Sequence, residues 1–164
     1  MNLPDAEQLL VQLTTQLRPH VGAQTALLGI HTGGVWLAER LRENLQLQIP
    51  IGSIDVAFYR DDYHQRGLHG NARSSQIPFE VEGANVIIVD DVLYTGRTIR
   101  AAMNELFDHG RPTSVQLAVL VDRGGRELPI CADYCAQTIS LPASQMLALE
   151  RASDGQLSLR VIEK

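Results

Sequence analysis

Apolar residues repeat at helical spacing in some segments of the chain and at strand spacing in others. Residues 4–18 predict a first amphipathic helix, and its apolar face is predicted to carry Leu9, Leu10, Leu13 and Leu17. The apolar run 25–30 predicts a strand, and a helical pattern resumes at Val35, directly after two glycines. This part of the chain is therefore predicted to fold as a strand, a glycine loop and a helix.

The middle of the chain predicts two strands and a helix, with one long polar segment between them. Residues 51–60 predict a strand whose inward face carries Ile54, Val56 and Phe58. Residues 61–78 are polar and show no periodicity, which predicts a long loop acting as a lid. A strand is predicted at 85–89 and a helix at 98–109. The apolar face of that helix is predicted to contain Ile99, Ala102, Met103, Leu106 and Phe107.

The remaining apolar segments complete an α/β fold, predicted to be a single domain over residues 1–164. Residues 114–121 form a nearly continuous apolar run, typical of a strand buried on both faces of a parallel sheet. Residues 146–150 and 157–162 flank an Asp-Gly turn signal and predict a C-terminal β-hairpin. Strands alternating with helices predict a central, mostly parallel sheet flanked by helices. Ligands of such sheets bind at the carboxyl ends of the strands. The loops expected there begin at His31, Asp61, Asp90 and Asp122.

Composition and charge narrow the class of protein. The 164 residues are 45% hydrophobic, enough for one buried core, and the net charge of -5 argues against nucleic-acid binding through overall positive charge. No apolar run approaches the ~18 residues that cross a bilayer, and no signal-peptide pattern is present. Cys131 and Cys135 are predicted to be reduced, half-buried thiols. We expect a cytoplasmic protein that binds neither DNA nor a membrane.

Residues 86–98, VIIVDDVLYTGRT, place two chemical surfaces beside one predicted strand. The first is a pair of carboxylates, Asp90 and Asp91, which suit the adjacent hydroxyls of a ribose and could help to position Mg²⁺. The second is the turn 95–98 at a helix start, whose backbone amides and threonine hydroxyls suit a phosphate. Together the two surfaces outline a ribose 5-phosphate.

Two other protein classes also end an apolar strand in acidic residues. A P-loop ATPase requires the pattern G-x-x-x-x-G-K-[ST], which this chain lacks. A phospho-acceptor receiver domain has no glycine-rich phosphate cradle in its site, and its acidic partners usually lie near the N-terminus. This chain has only Asp5 and Glu7 there, within a predicted helix. Both classes are therefore disfavoured, as is a solvated acidic turn with a purely structural role.

The same motif resembles the phosphoribosyl-pyrophosphate (PRPP) motif of type I phosphoribosyltransferases. Together with FYRDD, QLAVLVDRG and RELPI, it makes the stretch from about Leu28 to Tyr134 resemble the PyrR family, pyrimidine operon attenuators with uracil phosphoribosyltransferase activity. The resemblance implies a type I phosphoribosyltransferase fold with a small hood at about residues 122–146. It also implies a glycosyltransferase that moves phosphoribose from PRPP to uracil and forms UMP and diphosphate.

The resemblance further implies roles for individual residues. Asp90 and Asp91 would bind the ribose hydroxyls near the reacting centre. The 5-phosphate would be bound by Thr95, Gly96, Arg97 and Thr98. Diphosphate would be bound by the first glycine loop and the base of the lid, namely His31, Thr32, Gly33, Gly34, Arg60, Asp61 and Asp62. Arg60 is assigned a catalytic role because it supplies permanent positive charge to the leaving group. In the hood, Arg123 and Arg126 would bind the base.

One loop departs from the family pattern, and one residue differs from purine-using relatives. The first loop reads His31-Thr32-Gly33-Gly34 where Lys-Thr-Arg-Gly is familiar, so two positive charges are lost from the diphosphate site. Tyr94 stands where purine-using relatives often carry an aspartate that acts as a base. We therefore expect weaker PRPP binding, partly offset by the lid residues Arg66 and Arg73, and transfer without a general base at residue 94.

The expected partners follow from the resemblance. PRPP, uracil and UMP would bind the site, with Mg²⁺ held mainly through PRPP and no dedicated metal ligands in the protein. Pyrimidine operon mRNA is a further expected partner, although residues 141–156 contribute only Arg151 as a cation. The family also implies a homodimer or homotetramer. The alternative is a catalytically weak protein that senses UMP or PRPP and has no attenuation activity on RNA.

Overall fold

The helices and strands follow one another in the order that an α/β fold requires. The structure, a computed structural model, describes residues 3–56 and 75–164. In this part the helices are α1 (Ala6–Leu17), α2 (Gly33–Leu45) and α3 (Arg97–Asp108), and a 3₁₀ turn covers Arg18–His20. The strands are β1 (Thr25–Ile30), β2 (Gly52–Ile54), β3 (Asn85–Leu93), β4 (Ser114–Asp122), β5 (Tyr134–Thr138), β6 (Gln145–Arg151) and β7 (Leu157–Glu163). The predicted fold class is confirmed.

Five strands form one parallel sheet in the order β2-β1-β3-β4-β5. In its register, Ile88 at the centre of β3 pairs with Leu28 of β1 on one side and with Leu117 of β4 on the other. Strands β6 and β7 form a separate antiparallel hairpin, as predicted. Because the five sheet strands run in the same direction, the loops after β1, β3 and β4 meet at one edge of the sheet.

Each face of the sheet is covered by a different apolar core. Ile87 and Val89 of β3 belong to the core formed with α1, α2 and the hairpin, whereas Val86 and Ile88 belong to the core formed with α3. Successive strand residues point to opposite faces, so the continuous apolar run of β3 fills both cores. The sheet edge that carries the loops is thereby held from two sides.

One strand prediction is corrected, and one strand was not predicted. Strand β3 does not end at residue 89 but continues to Leu93, because Val92 and Leu93 still pair with β4. Asp90 and Asp91 therefore lie within the strand. The parallel sheet also contains a fifth strand, β5, which pairs along β4 inside the segment predicted as a hood. The sequence of β5 hides it, because its burial falls steadily along the strand and no apolar period is visible.

Other differences concern helix ends and exposure. Helix α1 begins at Ala6 rather than at residue 4, because the Asp5 side chain accepts hydrogen bonds from the Glu7 and Gln8 amides and caps the helix. Phe107 is 51% exposed and does not belong to the buried face of α3, since it lies past the edge of the arc that contains Ile99, Ala102 and Leu106.

The prediction for one of the two cysteines is also corrected. Cys131 is exposed rather than half-buried.

Part of the predicted lid and of the predicted second strand lies outside the described residues. Strand β2 ends at Ile54, and Phe58 is not described. Of the predicted lid, residues 75–78 are described, and Gln76 forms an isolated antiparallel bridge with Ser53 of β2. Within residues 3–56 and 75–164, no helix is long and apolar enough to span a bilayer.

Candidate active site

A cavity of about 210 Å³ opens at the edge of the sheet where the strands have their carboxyl ends. The predicted site residues that line it come from the loops after β1, β3 and β4, and they are Thr32, Gly33, Asp90, Asp91, Tyr94, Thr98 and Arg123. The lining also includes residues that the sequence did not predict, namely Trp36, Val92, Met146, Leu147, Ala148, Leu149 and Lys164. The hairpin therefore forms one wall of the cavity.

The two carboxylates of β3 are oriented by their own backbone. Asp90 is only 4% exposed, and its Oδ1 accepts a hydrogen bond of 3.0 Å from the Asp91 amide. Asp91 Oδ1 accepts one of 3.0 Å from the Val92 amide. Bonds from amides to ionised carboxylates are strong and directional, so both side chains are held in place before any ligand binds.

The glycine loop after β1 lies directly against the end of β3. A methyl group built on Gly33 would lie 2.5 Å from Asp91 Oδ2, and one built on Gly34 would collide with the Val89 carbonyl oxygen. A side chain at either position would force its neighbours to move, the Asp91 side chain at Gly33 and the β3 backbone at Gly34. Helix α2 begins at Gly33, so the Asp91 carboxylate lies beside its positively polarised N-terminus. The His31–Thr32 peptide bond is cis, and the His31 amide donates to the Ile54 carbonyl at 2.8 Å.

The turn before α3 is shaped by a left-handed glycine and by hydrogen bonds to Thr95. Gly96 has a φ of +93°, which glycine adopts without strain, and it occupies the N-cap position. Thr95 Oγ1 accepts a hydrogen bond of 3.2 Å from the Arg97 amide, and the Thr95 carbonyl accepts from the Glu127 and Leu128 amides at 3.0 and 3.1 Å. The first amides of a helix lack intrahelical partners, so a helix start of this kind is able to bind an anion, and the Thr98 side chain lines the cavity beside it.

Two of the predicted arginines are engaged with neighbouring residues. Arg97 Nε donates to Glu127 Oε2 at 2.7 Å, and the Arg97 side chain is about half exposed. Arg126 donates to the Tyr94 carbonyl and to Asp122 Oδ2, both at 2.6 Å. Arg126 therefore ties the loop after β4 to the loop after β3, and its predicted contact with the base stays a prediction.

Arg123 joins the loop after β4 to the segment that leads into the hairpin. It is 6% exposed, and its guanidinium donates to the carbonyls of Gln145 at 2.7 Å, Pro142 at 3.2 Å and Leu141 at 3.4 Å. The guanidinium carbon lies 3.9 Å from the centroid of the Tyr94 ring, a favourable cation–π distance. Arg123 thus fixes both the cavity wall and the Tyr94 ring.

The other predicted residues lie around the cavity or outside the described part of the chain. Those in the loops that reach the cavity, without lining it, are His31, Gly34, Thr95, Gly96 and Arg97. Those outside the described residues are Arg60, Asp61 and Asp62, together with Arg66 and Arg73. The roles assigned to all of them stay predictions.

Trp36 and the hairpin were missed because their residues carry an ordinary core pattern. Leu147 and Leu149 alternate as core residues of a strand, and they are indeed buried. Trp36 lies one helical turn after Gly33, and this spacing is the signal that could have placed it at the cavity. On its other side the Trp36 ring lies 4.7 Å from the guanidinium carbon of Arg151, which also contacts Glu39 at 3.5 Å.

Glu7 fastens the hairpin to the helices on this face of the sheet. Its Oε1 accepts a hydrogen bond of 2.9 Å from the Leu157 amide, and its Oε2 accepts one of 2.7 Å from Arg40 Nη2. The hydrogen bond from Arg40 is the main cause that holds the pKa of Glu7 below its ordinary value. The same bond raises the pKa of Arg40. Residues 150 positions apart are thereby joined.

Oxygen ligands for a cation are limited to a few side chains in the described residues. No group of three or more His, Cys, Asp or Glu side chains is placed there to hold a metal ion. Asp90 and Asp91 offer hard carboxylate oxygens at the cavity, the ligand type that Mg²⁺ prefers. Two carboxylates are too few to bind Mg²⁺ alone, so Asp90 and Asp91 fit a cation that is already coordinated by oxygen atoms of a ligand.

The fold and the arrangement of the cavity define a type I phosphoribosyltransferase. The sequence pattern described as "Phosphoribosyl transferase domain" matches residues 2–142. Over 153 residues the chain is 49% identical to the "Bifunctional protein PyrR" of Pseudomonas aeruginosa, covering 91% of this chain and 90% of that protein. It is 46% identical over 164 residues to the protein of the same name from Pseudomonas fluorescens, with 98% of each covered. The chain belongs to the PyrR family.

Solved structures of more distant proteins share the fold. A hypoxanthine-guanine phosphoribosyltransferase from Bacillus anthracis matches with a TM-score of 0.66 at 21% identity, covering 85% of this chain and 83% of that one. A purine phosphoribosyltransferase from Pyrococcus horikoshii matches with a TM-score of 0.60 at 24% identity, covering 81% of each. Because these sequence identities are low, the two matches show a shared fold and not a shared activity.

Proposed function

We propose that this chain transfers the 5-phosphoribosyl group of PRPP to uracil, forming UMP and diphosphate. The observation that carries the proposal is that Asp90, Asp91 and Thr98 line the same cavity, which brings a carboxylate pair and the first turn of α3 to one space. A ribose 5-phosphate needs hydrogen-bond acceptors for its hydroxyls and donors for its phosphate, and this cavity offers both. The names of the PyrR relatives and the departure at Tyr94 from purine-using enzymes favour a pyrimidine base.

The proposed mechanism relies on charge placed in advance. The Asp90 and Asp91 carboxylates accept hydrogen bonds from the ribose hydroxyls and stabilise positive charge that develops on the sugar ring as its bond to diphosphate breaks. The turn 95–98 holds the 5-phosphate. The glycine loop at Thr32 and Gly33, with Arg60, holds the leaving diphosphate. Because the carboxylates are already oriented by backbone amides, little reorganisation is required during transfer.

Mg²⁺ is proposed as the cofactor, and it would reach the site bound to PRPP. When bound, the ion neutralises charge on the diphosphate and makes it a better leaving group. The residues of this chain that would share it are Asp90 and Asp91, through water or through sugar oxygens. Removal of divalent cations with a chelator should therefore abolish UMP formation, and added Mg²⁺ should restore it.

The test is a steady-state assay of UMP formation from uracil and PRPP with Mg²⁺. Asp90→Asn and Asp91→Asn should each lower kcat/KM about a hundredfold or more, because each removes a charge that acts on the transition state. Asp108→Asn is the matched control, since Asp108 is exposed at the end of α3, away from the cavity, and should keep wild-type activity. A wild-type protein that forms no UMP, or carboxylate variants as active as the control, would refute the proposal.

A second proposed function is regulatory binding of pyrimidine operon mRNA under the control of uridine nucleotides. It is motivated by the resemblance to the PyrR family of pyrimidine operon attenuators, and the relatives at 46–49% identity are named "Bifunctional protein PyrR", which is consistent with a second activity. Arg151, the one cation of residues 141–156, is already paired with Glu39 and stacked on Trp36, which weakens that segment as an RNA surface. The family expectation of a homodimer or homotetramer is part of this proposal, since a second copy would extend any RNA-binding face.

Filter binding of the operon leader RNA, with and without UMP at two salt concentrations, tests the regulatory function. We expect UMP to strengthen binding and salt to weaken it steeply, because phosphate contacts release counterions. Binding that is weak and insensitive to salt would refute RNA regulation. If the protein does not bind RNA, binds UMP and forms UMP only slowly, the alternative of a UMP- or PRPP-sensing protein would be favoured instead.

A further inference from the structure

We propose that Lys164 binds the pyrimidine base in the cavity and stabilises the negative charge that the base acquires during transfer. The proposal rests on the proposed uracil phosphoribosyltransferase function. Lys164 follows β7 and is the only lysine in the sequence. Its amide donates to the Ser144 carbonyl at 2.8 Å, which fixes the residue at the open end of the hairpin. Its side chain lines the cavity, with Nζ 5.2 Å from the centroid of the Tyr94 ring.

The ammonium group of Lys164 is the cavity cation left available for a ligand. Within residues 3–56 and 75–164 it takes part in no hydrogen bond or ion pair, and its one interaction is with the Tyr94 ring. Arg123, the other cation in the lining, already donates to three backbone carbonyls. A lysine ammonium has three N–H donors, and a cation–π contact, which is an electrostatic attraction to the ring, does not occupy them as hydrogen bonds would. Lys164 can therefore donate to an acceptor in the cavity.

The order of strands places Lys164 on the side of the cavity that the diphosphate does not occupy. Strand β3, with the carboxylate pair, lies between β1 and β4. The glycine loop, assigned to diphosphate, follows β1. The Tyr94 ring next to Lys164 is stacked on Arg123, which directly follows β4. A sugar held at the carboxylates would thus have its leaving group toward β1 and its incoming base toward Tyr94 and Lys164.

The chemistry of uracil gives this cation a role. In the transfer, uracil N1 forms a bond to C1′, the bond from C1′ to the diphosphate oxygen breaks with its electron pair, and the N1 proton passes to solvent. As that proton leaves, negative charge spreads to the two carbonyl oxygens of the ring. Residue 94 is a tyrosine and offers no carboxylate base to take the proton. An ammonium donating to a ring carbonyl makes deprotonation easier without a base.

Kinetics of Lys164→Met and Lys164→Arg test the assignment. Lys164→Met should raise the KM for uracil at least about tenfold, because a charged hydrogen bond is lost. It should leave the KM for PRPP and the melting temperature unchanged, and activity should now rise with pH as uracil ionises in solution. Lys164→Arg should recover most of the uracil affinity. An unchanged uracil KM in Lys164→Met, an equal rise of both KM values, or equal losses in the two variants would overturn the proposal.

Two failures are distinguishable in this experiment. A wild-type protein that makes no UMP defeats the proposed function and the Lys164 assignment with it. A wild-type protein that makes UMP, beside a Lys164→Met variant with unchanged kinetics, defeats the Lys164 assignment alone.

A binding measurement separates base from phosphate as the ligand of Lys164. Reductive methylation with ¹³C-formaldehyde labels the one lysine and the α-amino group, and the methylated lysine keeps its charge. The Lys164 signal in a ¹³C NMR spectrum should shift when UMP is added and should stay in place when ribose 5-phosphate is added. An equal shift with both ligands would overturn the assignment to the base.

Discussion

The Asp91 carboxylate lies against the α-carbon of Gly33, and no room remains between them for one methyl group. The glycine loop and the carboxylate pair therefore position each other. We predict that Gly33→Ala displaces Asp91 and lowers kcat/KM for PRPP by roughly tenfold to a hundredfold, since small displacements in a site are costly to catalysis. Steady-state kinetics with PRPP as the varied substrate measure this.

Gly22→Ala is the matched control for this substitution. A methyl group on Gly22 would meet no atom within 4 Å, and this residue lies in the turn before β1, at the opposite end of that strand from the glycine loop. It should leave kcat/KM unchanged. Equal kinetics in Gly33→Ala and Gly22→Ala would show that contact with Gly33 does not position Asp91.

The Glu7 carboxylate gives the hairpin a pH-dependent attachment. Its pKa is lowered in the folded protein, so it binds protons less readily there than in the unfolded chain. The stabilisation is complete at pH values above the ordinary pKa of 4.5 and is lost as the pH falls through the lower folded-state value. Glu7→Gln should therefore lower the free energy of unfolding by about 1 kcal/mol at pH 7.

Thermal melts between pH 3 and pH 7 provide the measurement for Glu7. The difference in melting temperature between wild type and Glu7→Gln should shrink as the solution becomes acidic. Glu150→Gln is the control, because the pair of Glu150 with Arg160 is exposed and such pairs contribute little to stability. A difference that persists unchanged at pH 3 would contradict the role assigned to the Glu7 charge.

Arg123 should matter for stability as well as for the site. Arg123→Met leaves three carbonyls of residues 141–145 without their donor, and we predict a loss of about 2–4 kcal/mol in the free energy of unfolding. Urea denaturation followed by circular dichroism measures it. Arg160→Met, at an exposed position on β7, should change stability by less than about 0.5 kcal/mol. Similar midpoints for the two variants would show that Arg123 does not anchor the hairpin.

The two cysteines should react at different rates. Cys131 is exposed, whereas burial raises the pKa of the Cys135 thiol above its ordinary value of 9.0. At pH 8 iodoacetamide should therefore modify Cys131 first, and modification of Cys135 should accelerate only as the pH rises further, because the thiolate is the reactive form. Mass spectrometry of timed samples resolves the two sites. Equal rates at pH 8 would contradict the burial of Cys135.

The parts of the site that are formed by contiguous residues were predicted from the sequence. The carboxylate pair, the turn at Thr95 and the glycine loop are each contiguous, and the apolar periods around them predict all three at strand ends, although the carboxylate pair lies inside β3 rather than after it. The sequence did not predict β5 or the hairpin wall of the cavity. The bond from Leu157 to Glu7 joins residues 150 positions apart, and nothing local marks either partner. The sequence also could not show what Arg123 binds. Its charge suggested contact with a ligand, but the side chain is buried and its guanidinium donates to backbone carbonyls.

A crystal structure of the complex with UMP would show whether the carboxylate pair and the turn 95–98 bind the two ends of one ribose 5-phosphate. We predict that the ribose hydroxyls lie within hydrogen-bonding distance, about 2.5–3.2 Å, of the Asp90 and Asp91 carboxylates. In the same complex the phosphate should be bound by the amides and hydroxyls of residues 95–98. A nucleotide bound elsewhere, or bound with its phosphate away from the start of α3, would refute the proposed phosphoribosyltransferase site.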